Sequence, residues 1–585
     1  MRLATIIFLA VLGALACLNT VVDAQIRRVR KSWKMFSQDE KRRYLGALQS
    51  AMSKGLHYRF AEMHVARPNY DFAHGNCGFV LWHRRFLVAY ENMLRDQGPE
   101  YASVTLPYWN YFEEHDARLN ERSSCQTFND CSQFLKDFGG SSGTSKRVVV
   151  STAGSIGGKC SEQTLGKYSC ASTQGTQDPN CAKCLLRGNW DDPQTYLAIT
   201  KAEIEGALSQ VRRGLPNRGT RSPHEILSRS MEGNFHADVH NKLAGVMQTG
   251  VSAFDPVFYG HHTMIDLTAY VHNRCHLKSD DPNVRMQFDV FDQCIVTLKQ
   301  ENNRQVTITP SSKVVIQYDG KPAEEDPVIG KYFKNIGDRY SNFANAESIP
   351  GPNAYTYQLD EYMRTLLQSQ NFVCPPEIFA RTPPKRKLME GEDLDSTDET
   401  REHVHRDDED WEHMSNGVQM VVAYEDCSAD VRAKNPNATS LEVQMQMALL
   451  ECEATRQSKG CDFQDYSPEF REAMNLPEEK KPFCYQLQES YRKQEIPLLT
   501  SKTCRKRYSK LTGTDLVKAF GDEDIPKHVI RANRLKRRHQ YNPDFQSPIS
   551  PLYEEESNDE PVELVELEDD HNSVHVHVRI HHSDE

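Results

Sequence analysis

The sequence predicts a mainly α fold with a helical core, a cysteine-rich loop insertion, a small cysteine-containing region after it and a charged tail. Three observations carry that expectation. Apolar residues recur at helical spacing through two long blocks, six cysteines crowd into a glycine- and serine-rich window between those blocks, and charge displaces apolar residues near the C-terminal end.

The chain opens "MRLATIIFLAVLGALACLNTVVDAQIRR", an apolar run behind Arg2 that ends in a small-residue cleavage pattern before Gln25. Residues 1–24 therefore read as a secretory signal peptide, too short in its apolar run for a membrane span. No later segment is long and apolar enough to cross a bilayer, so the expectation is a soluble, secreted protein with no membrane partner. Cys17 leaves with the leader, and an odd number of the 16 cysteines remains for an oxidising compartment, where most pair as disulfides.

Residues 25–385 form the main unit. "SQDEKRRYLGALQSAMSKG" offers Ser37 as a helix cap, Glu40 three residues on and Gly55 as a stop. In "AHGNCGFVLWHRRFLVAYENML", Gly75 and Gly78 break the helix and a new one starts near Phe79. Its apolar stripe runs through Phe79, Trp82, Phe86, Leu87, Tyr90 and Leu94, with Arg84, Arg85, Asn92 and Arg95 mostly off it. "VTLPYWNYF" closes this first block. Residues 120–190 read as a disulfide-stapled insertion carrying Cys125, Cys131, Cys160, Cys170, Cys181 and Cys184; zinc or thiol chemistry at "CAKC" is the weaker alternative. A second helical block covers about 198–276, and "QVTITP" and "KVVIQYDG" are strand-like.

Residues 386–419 form an acidic linker poor in apolar side chains. Residues 420–510 hold Cys427, Cys452, Cys461, Cys484 and Cys504, and a glycosylation sequon stands at Asn437-Ala438-Thr439. The tail, 511–585, is first basic, with a dibasic "RLKR" at Arg534–Arg537, then acidic and histidine-rich. Its acidic stretch offers calcium or a mineral matrix a site, and solubilising disorder is the plainer alternative. The net charge of −12, concentrated toward this end, argues against nucleic acid as a partner.

The histidines carry the chemistry. His74 and His83 lie nine apart, half a turn out of phase at about 100° per residue, so both can face one point only if His74 approaches from the loop. His236 and His240, four apart in "MEGNFHADVHNKLAG", share a helix face, and Ala237 stands where a zinc protease needs its glutamate. Asp255-Pro256 then opens another helix, with His261 and His262 in its first turn and apolar positions continuing at Ile265, Leu267 and Val271. His57 and His64 lie upstream. Six imidazoles on a helical scaffold suit two adjacent metal ions, copper or zinc, built from inward-facing side chains.

"HGNCGFVLWHRRFLVAYENML" resembles the copper-A motif of the tyrosinase family, and "HADVH" followed by "DPVFYGHHTMID" resembles its copper-B motif. "LPYW" at 106–109 is a further shared piece, and the resemblance covers about residues 26–385. It implies a four-helix-bundle dicopper core with two copper ions. Copper A would be held by His64 (alternative His57), His74 and His83, and copper B by His236, His240 and His262, leaving His261 to packing or to a place just behind the ligands. The implied activity is a type-3 copper phenol oxidase that uses dioxygen to turn catechols, and in some members monophenols, into o-quinones. Its partners would be phenolic small molecules or tyrosine and dopa side chains, and its products would feed melanin or matrix cross-linking.

Several positions depart from that pattern. Efficient monophenol hydroxylases often carry Asn directly after the first copper-B histidine; here that residue is Ala237, and Asn241 instead follows the second. Phe72 occupies the position from which some relatives cross-link a cysteine to the second copper-A histidine, and Cys77 is expected in a disulfide. Asp266, one turn past His262, is expected either to orient an imidazole or to pair with Arg84 or Arg85; Glu91 is a buried partner with a structural role. The resemblance also suggests that 420–510 covers the site until proteolysis removes it. The rival functions are a silent matrix protein that retains the fold and a haemocyanin-like dioxygen carrier, which would predict tandem copies of the core where this chain has one.

Overall fold

A computed structural model describes residues 28–150, 154–197, 199–208, 213–215, 219–221, 223–277, 291, 293–369, 372–379, 411, 413–474 and 476–521. The leader, most of the linker, "RLKR" and the acidic tail lie outside the described residues.

Helix α1 (Gln38–Ser53) starts at the expected box: the Glu40 amide donates to Ser37 Oγ, and the Ser37 amide donates to Glu40 Oε2 at 2.7 Å. It stops before Gly55, whose φ of +71° and 2.3 Å Cβ-to-carbonyl approach at Thr173 admit no side chain. Helices α2 (Leu56–Val65), α3 (Asn69–Ala73), α4 (Phe79–Arg95) and α5 (Tyr111–Leu119) complete the first block. In the second block α6 (Lys201–Leu208) and α7 (Pro223–Met231) lead into a π-wound turn, Glu232–His236. Helices α8 (Ala237–Leu243) and α9 (Val257–Arg274) follow. The π turn contains Asn234 at φ −110° and ψ −118°, outside helical geometry. A short antiparallel pair, Arg213–Leu215 with Gly219–Arg221, was not legible in the pattern.

Helix α4 departs from its expected amphipathicity. Arg84 and Arg85 are each 1% exposed rather than on a wet face. Arg84 Nε donates to Asp266 Oδ1 at 2.5 Å and its Nη1 to the Phe343 carbonyl at 2.7 Å. Arg85 Nη1 donates to the Val314 carbonyl at 2.8 Å. A loop from the far end of the unit covers that face and supplies acceptors, so the arginines are buried with partners. The same contact explains why "KVVIQYDG" is strand only at Gln317–Tyr318: Val314 and Val315 give their carbonyls to Arg85 and Trp82. "QVTITP" does form a strand, Arg304–Ile308, antiparallel to Cys294–Leu298. Helix α9 starts at Val257, which puts His261 and His262 in its second turn, not its first.

The insertion holds a three-stranded antiparallel sheet, Ser145–Val150, Gly154–Ser161 and Leu185–Arg187, in that spatial order. Cys125 bonds Cys131 and Cys160 bonds Cys184, so the two cysteines of "CAKC" part company; Cys170 and Cys181 are unbridged. Cys77–Cys294 and Cys275–Cys374 complete the bridges of the main unit.

The C-terminal region is a packed set of helices: α10 (Asn416–Lys434), α11 (Ser440–Lys459), α12 (Pro468–Met474), α13 (Phe483–Arg492) and α14 (Lys502–Thr512). Its first helix begins at a Ser415 cap, inside the stretch assigned to the linker, and its last turn, Leu516–Phe520, lies past residue 510. Cys427–Cys504 and Cys452–Cys484 staple it internally. It meets the main unit through buried polar contacts. Lys201 lies between Asp116, at 2.8 Å, and Glu451, and Tyr424 donates to Glu205 at 2.5 Å. No helix among the described residues is long and apolar enough to cross a membrane.

Candidate metal centre

Three imidazoles converge from three different elements. His64 comes from α2, His74 from the residue capping α3 and His83 from the second turn of α4, with ligand-capable atoms within 4.8 Å of one another. Gly75 at φ +71° turns the chain between the last two. Each Nδ1 is tied to a backbone carbonyl: His64 to Gly250 at 3.0 Å, His74 to Tyr70 at 3.2 Å and His83 to Phe79 at 2.8 Å. A carbonyl accepts only, so each Nδ1 must carry the proton and each Nε2 is left with its lone pair. The Nε2 atoms of His64 and His83 lie 3.4 Å apart.

Four more imidazoles gather opposite: His236, His240, His261 and His262, again within 4.8 Å. His236 and His240 hold their Nδ1 protons on the carbonyls of Glu232, at 3.1 Å, and Met247, at 2.6 Å. The Nε2 atoms of His240 and His262 are 3.4 Å apart, and Nε2 of His236 is buried with no hydrogen-bond partner. His262 Nδ1 and both ring nitrogens of His261 are also buried without hydrogen-bond partners. The two groups face each other directly, since the His83 and His262 rings stack at 4.4 Å between centroids. Phe258 closes on His262 at 4.0 Å and on His64 at 4.8 Å, and Phe79 lies 4.9 Å from His236.

Burial holds these rings neutral. It pushes His64 down to about 3 and His240 to about 4, and takes His74, His83, His236, His261 and His262 well below the ordinary imidazole range; neighbouring imidazoles add to the effect at most of them. A set of buried, neutral imidazoles with inward lone pairs is a metal-binding donor set. With no carboxylate in either group, it suits copper or zinc ahead of calcium or magnesium.

His57 is not part of it. Its Nδ1 meets Tyr90 Oη at 2.7 Å and its Nε2 meets the Phe254 carbonyl at 2.8 Å, which uses both nitrogens. Asp266 orients no imidazole: it binds Arg84, Arg30 at 3.2 Å, and the hydroxyls of Tyr355 and Tyr357. Glu91 likewise binds Arg28 and Arg30. Asn241 lies on α8, partly exposed, and belongs to neither group.

Two features were not foreseen from the motifs. Glu232 is buried, accepts the Gly75 amide at 2.8 Å through Oε1, and leaves Oε2 unpartnered; burial pushes its carboxyl up to about 8. A carboxylate four residues before His236 was the available signal, but its burial depends on the loop that carries His74. The second feature is the neighbour of α8. Tyr466, Phe470, Met474 and Leu476 form an apolar cluster with Ala237, Tyr466 donates to Asp238 Oδ1, and Tyr70, whose ring lies against His74 at 4.2 Å, donates to the Ala473 carbonyl.

Comparison with known proteins follows the same lines. Residues 54–273 match the family model described as the common central domain of tyrosinase. A tyrosinase of Streptomyces antibioticus is 28% identical over 261 residues, 41% of this chain and 80% of that protein. Grixazone synthase of Streptomyces griseus is 26% identical over 274 residues, 41% of this chain and 81% of that protein. A solved latent aurone synthase (polyphenol oxidase) aligns at a TM-score of 0.24 and 16% identity, over 49% of this chain and 55% of that one, too weak a likeness to argue from.

Proposed function

We propose, from the premise that residues 54–273 are a tyrosinase-family central domain and the chain a copper oxidoreductase, that it is a secreted phenol oxidase converting o-diphenols to o-quinones with dioxygen. The observation that carries this is the pair of facing imidazole groups with inward Nε2 atoms. His64, His74 and His83 would hold one copper, and His236, His240 and His262 a second. Held by these imidazoles, copper would supply the electron transfer to dioxygen through its two oxidation states.

The chain's own groups do the rest. The Nδ1–carbonyl bonds fix ring orientation and tautomer before metal arrives, so little reorganisation is needed on binding. Phe258 and Phe79 exclude water from the space between the groups and offer apolar walls to an aromatic ring. Ala237 has no side-chain amide to help deprotonate a monophenol, so catechol oxidation is the principal activity and monophenol hydroxylation the weaker one. Six disulfides among the described residues fit an oxidising compartment. The apolar cluster on Ala237 supports reading the C-terminal region as a cover over the site and its removal as the activating step. Quinones released outside the cell would react with amines and thiols, which supports pigment formation or protein cross-linking as the role.

Copper per chain, with oxygen uptake on a catechol and a monophenol before and after limited proteolysis, tests this. Two coppers, catechol turnover that rises on proteolysis and little monophenol turnover are expected. Two coppers with reversible oxygen binding and no turnover would make it a carrier. No copper, where a control enzyme loads fully, would leave a silent matrix protein.

A further inference from the structure

We propose that Arg118, Lys242 and Lys459 form a site for a small oxyanion of the phosphate or sulfate class, where the C-terminal region meets the main unit. The proposal is independent of the oxidase reading.

The three cations come from α5, α8 and the last residue of α11, and they crowd a single ring. Arg118 Cζ lies 5.6 Å from the Tyr196 centroid, Lys242 Nζ 5.5 Å and Lys459 Nζ 5.7 Å. Tyr196 is 3% exposed and Lys459 7%, while Arg118 and Lys242 are half-buried. The unbridged Cys461 places its Sγ 3.7 Å from Tyr196 Oη. That thiol is within electrostatic range of both lysines, and Arg118 is within range of Lys459. Three positive tips, a hydroxyl and a thiol thus gather at one place.

Their charge is not matched. Among the described residues none of the three side chains makes an ion pair or a hydrogen bond, and Arg118 Nη1 is buried without a partner. The tyrosine ring attracts cations through its quadrupole but carries no net charge. The nearby carboxylates are engaged elsewhere. Asp462 pairs with Arg456 at 3.4 Å and Arg492 at 3.5 Å. Asp238 acts on Lys242, but it also accepts the Tyr466 hydroxyl and is shared with the buried Lys480. Burial accordingly pushes Arg118 down to about 10, and burial together with the charge of Arg118 takes Lys459 down to about 8. Lys201, buried in the same contact between the regions, shows the opposite treatment, with Asp116 and Glu451 both set against it. Cations withheld from water without a counter-charge call for an anion. A planar guanidinium, two ammonium groups and a hydroxyl offer many donors to several oxygens at once, which suits a tetrahedral oxyanion better than chloride. Arg118 and Lys242 belong to the main unit and Lys459 to the C-terminal region, so the bound anion would strengthen the hold of one on the other.

The test is a calorimetric titration of inorganic phosphate into the full-length protein and into its Lys459→Met and Lys242→Met variants, at fixed ionic strength. Wild type is expected to bind one phosphate per chain, and each variant to bind it about tenfold or more weakly, as loss of a charged donor does. No binding at millimolar phosphate overturns the proposal, and so does binding that either variant leaves unchanged. A parallel titration with sulfate identifies which oxyanion the site prefers. Should the variants not fold, wild type alone decides through Cys461. Its alkylation by iodoacetamide, followed on its own peptide, is expected to slow by about tenfold when phosphate stands at ten times its dissociation constant. Sodium chloride of equal ionic strength is the control, and a rate that phosphate leaves unchanged overturns the proposal.

Discussion

At the first imidazole group every Nδ1 is spoken for: Gly250, Tyr70 and Phe79 each accept one, and three separate elements converge with nothing to spare. At the second, Glu232 and Met247 anchor two rings, His262 has no partner on Nδ1, and His261 stands beside it with neither nitrogen bonded. The second group also sits on a π-wound turn and meets the C-terminal region through the apolar cluster on Ala237, whereas the first meets that region through the Tyr70 hydroxyl. Identical side chains therefore make a rigid half and an adaptable half. Order in the first comes from backbone carbonyls; in the second, part of it must come from the metal or the cover.

The sharpest way to break this comparison is to remove one ring from the rigid half. His83→Asn is expected to abolish catechol oxidation and to cost at least one copper per chain by elemental analysis. Retention of both coppers would mean that the spare imidazole across the gap compensates. Next comes the tie between the halves, Asp266 of α9 on Arg84 of α4 and on Arg30. Asp266→Asn leaves two buried guanidinium groups short of a counter-charge, and a loss of about 3–5 kcal/mol in denaturant unfolding is expected.

His57→Gln and His64→Gln separate a packing histidine from a ligand. The first should keep the copper content and lose about 1–3 kcal/mol, because Tyr90 and the Phe254 carbonyl each lose a buried partner. The second should lose copper. His261→Gln should keep both coppers and slow turnover by about tenfold, the low end of what loss of a group behind the ligands costs; copper loss would move the ligand role to His261.

Proton uptake by the empty site is the remaining test. In the metal-free protein both groups hold imidazoles whose folded pKa lies below the unfolded value of 6.5, with His64 near 3 and His240 near 4. The unfolded chain thus binds more protons as pH falls through 6.5. Stability is full above that value and falls by up to about 1.4 kcal/mol per pH unit for each such ring below it. Thermal unfolding of the metal-free protein should move to lower temperature between pH 7 and 5.

Much of the site is legible because its logic is local. The glycines of "AHGNCG", the four-residue step from His236 to His240 and the Ser37–Glu40 box each declare themselves within one or two turns of chain. What is not legible depends on partners far away in sequence. Arg84 and Arg85 look exposed until a loop more than 200 residues downstream supplies their acceptors. His57 and His64 differ only in what faces them, Tyr90 and Phe254 in one case and the metal-competent group in the other. Glu232 and Lys480 carry no motif, since their burial exists only once the His74 loop and the C-terminal region have closed on α8. The π turn at Asn234 is invisible to any fixed period.

The disulfides fall into two sets that do not cross. Four lie within residues 77–374 and two within 427–504, and among the described residues none joins one set to the other. A single cut between 381 and 410 would therefore leave only non-covalent contacts among the described residues to hold the C-terminal region in place, and the region would come away with its own disulfides intact. If the region covers the site as proposed, it would act while tethered at an effective concentration on the order of millimolar and, once severed, would be a separate inhibitor obeying mass action. The cut protein should then switch on with dilution and switch off again when the released piece is added back.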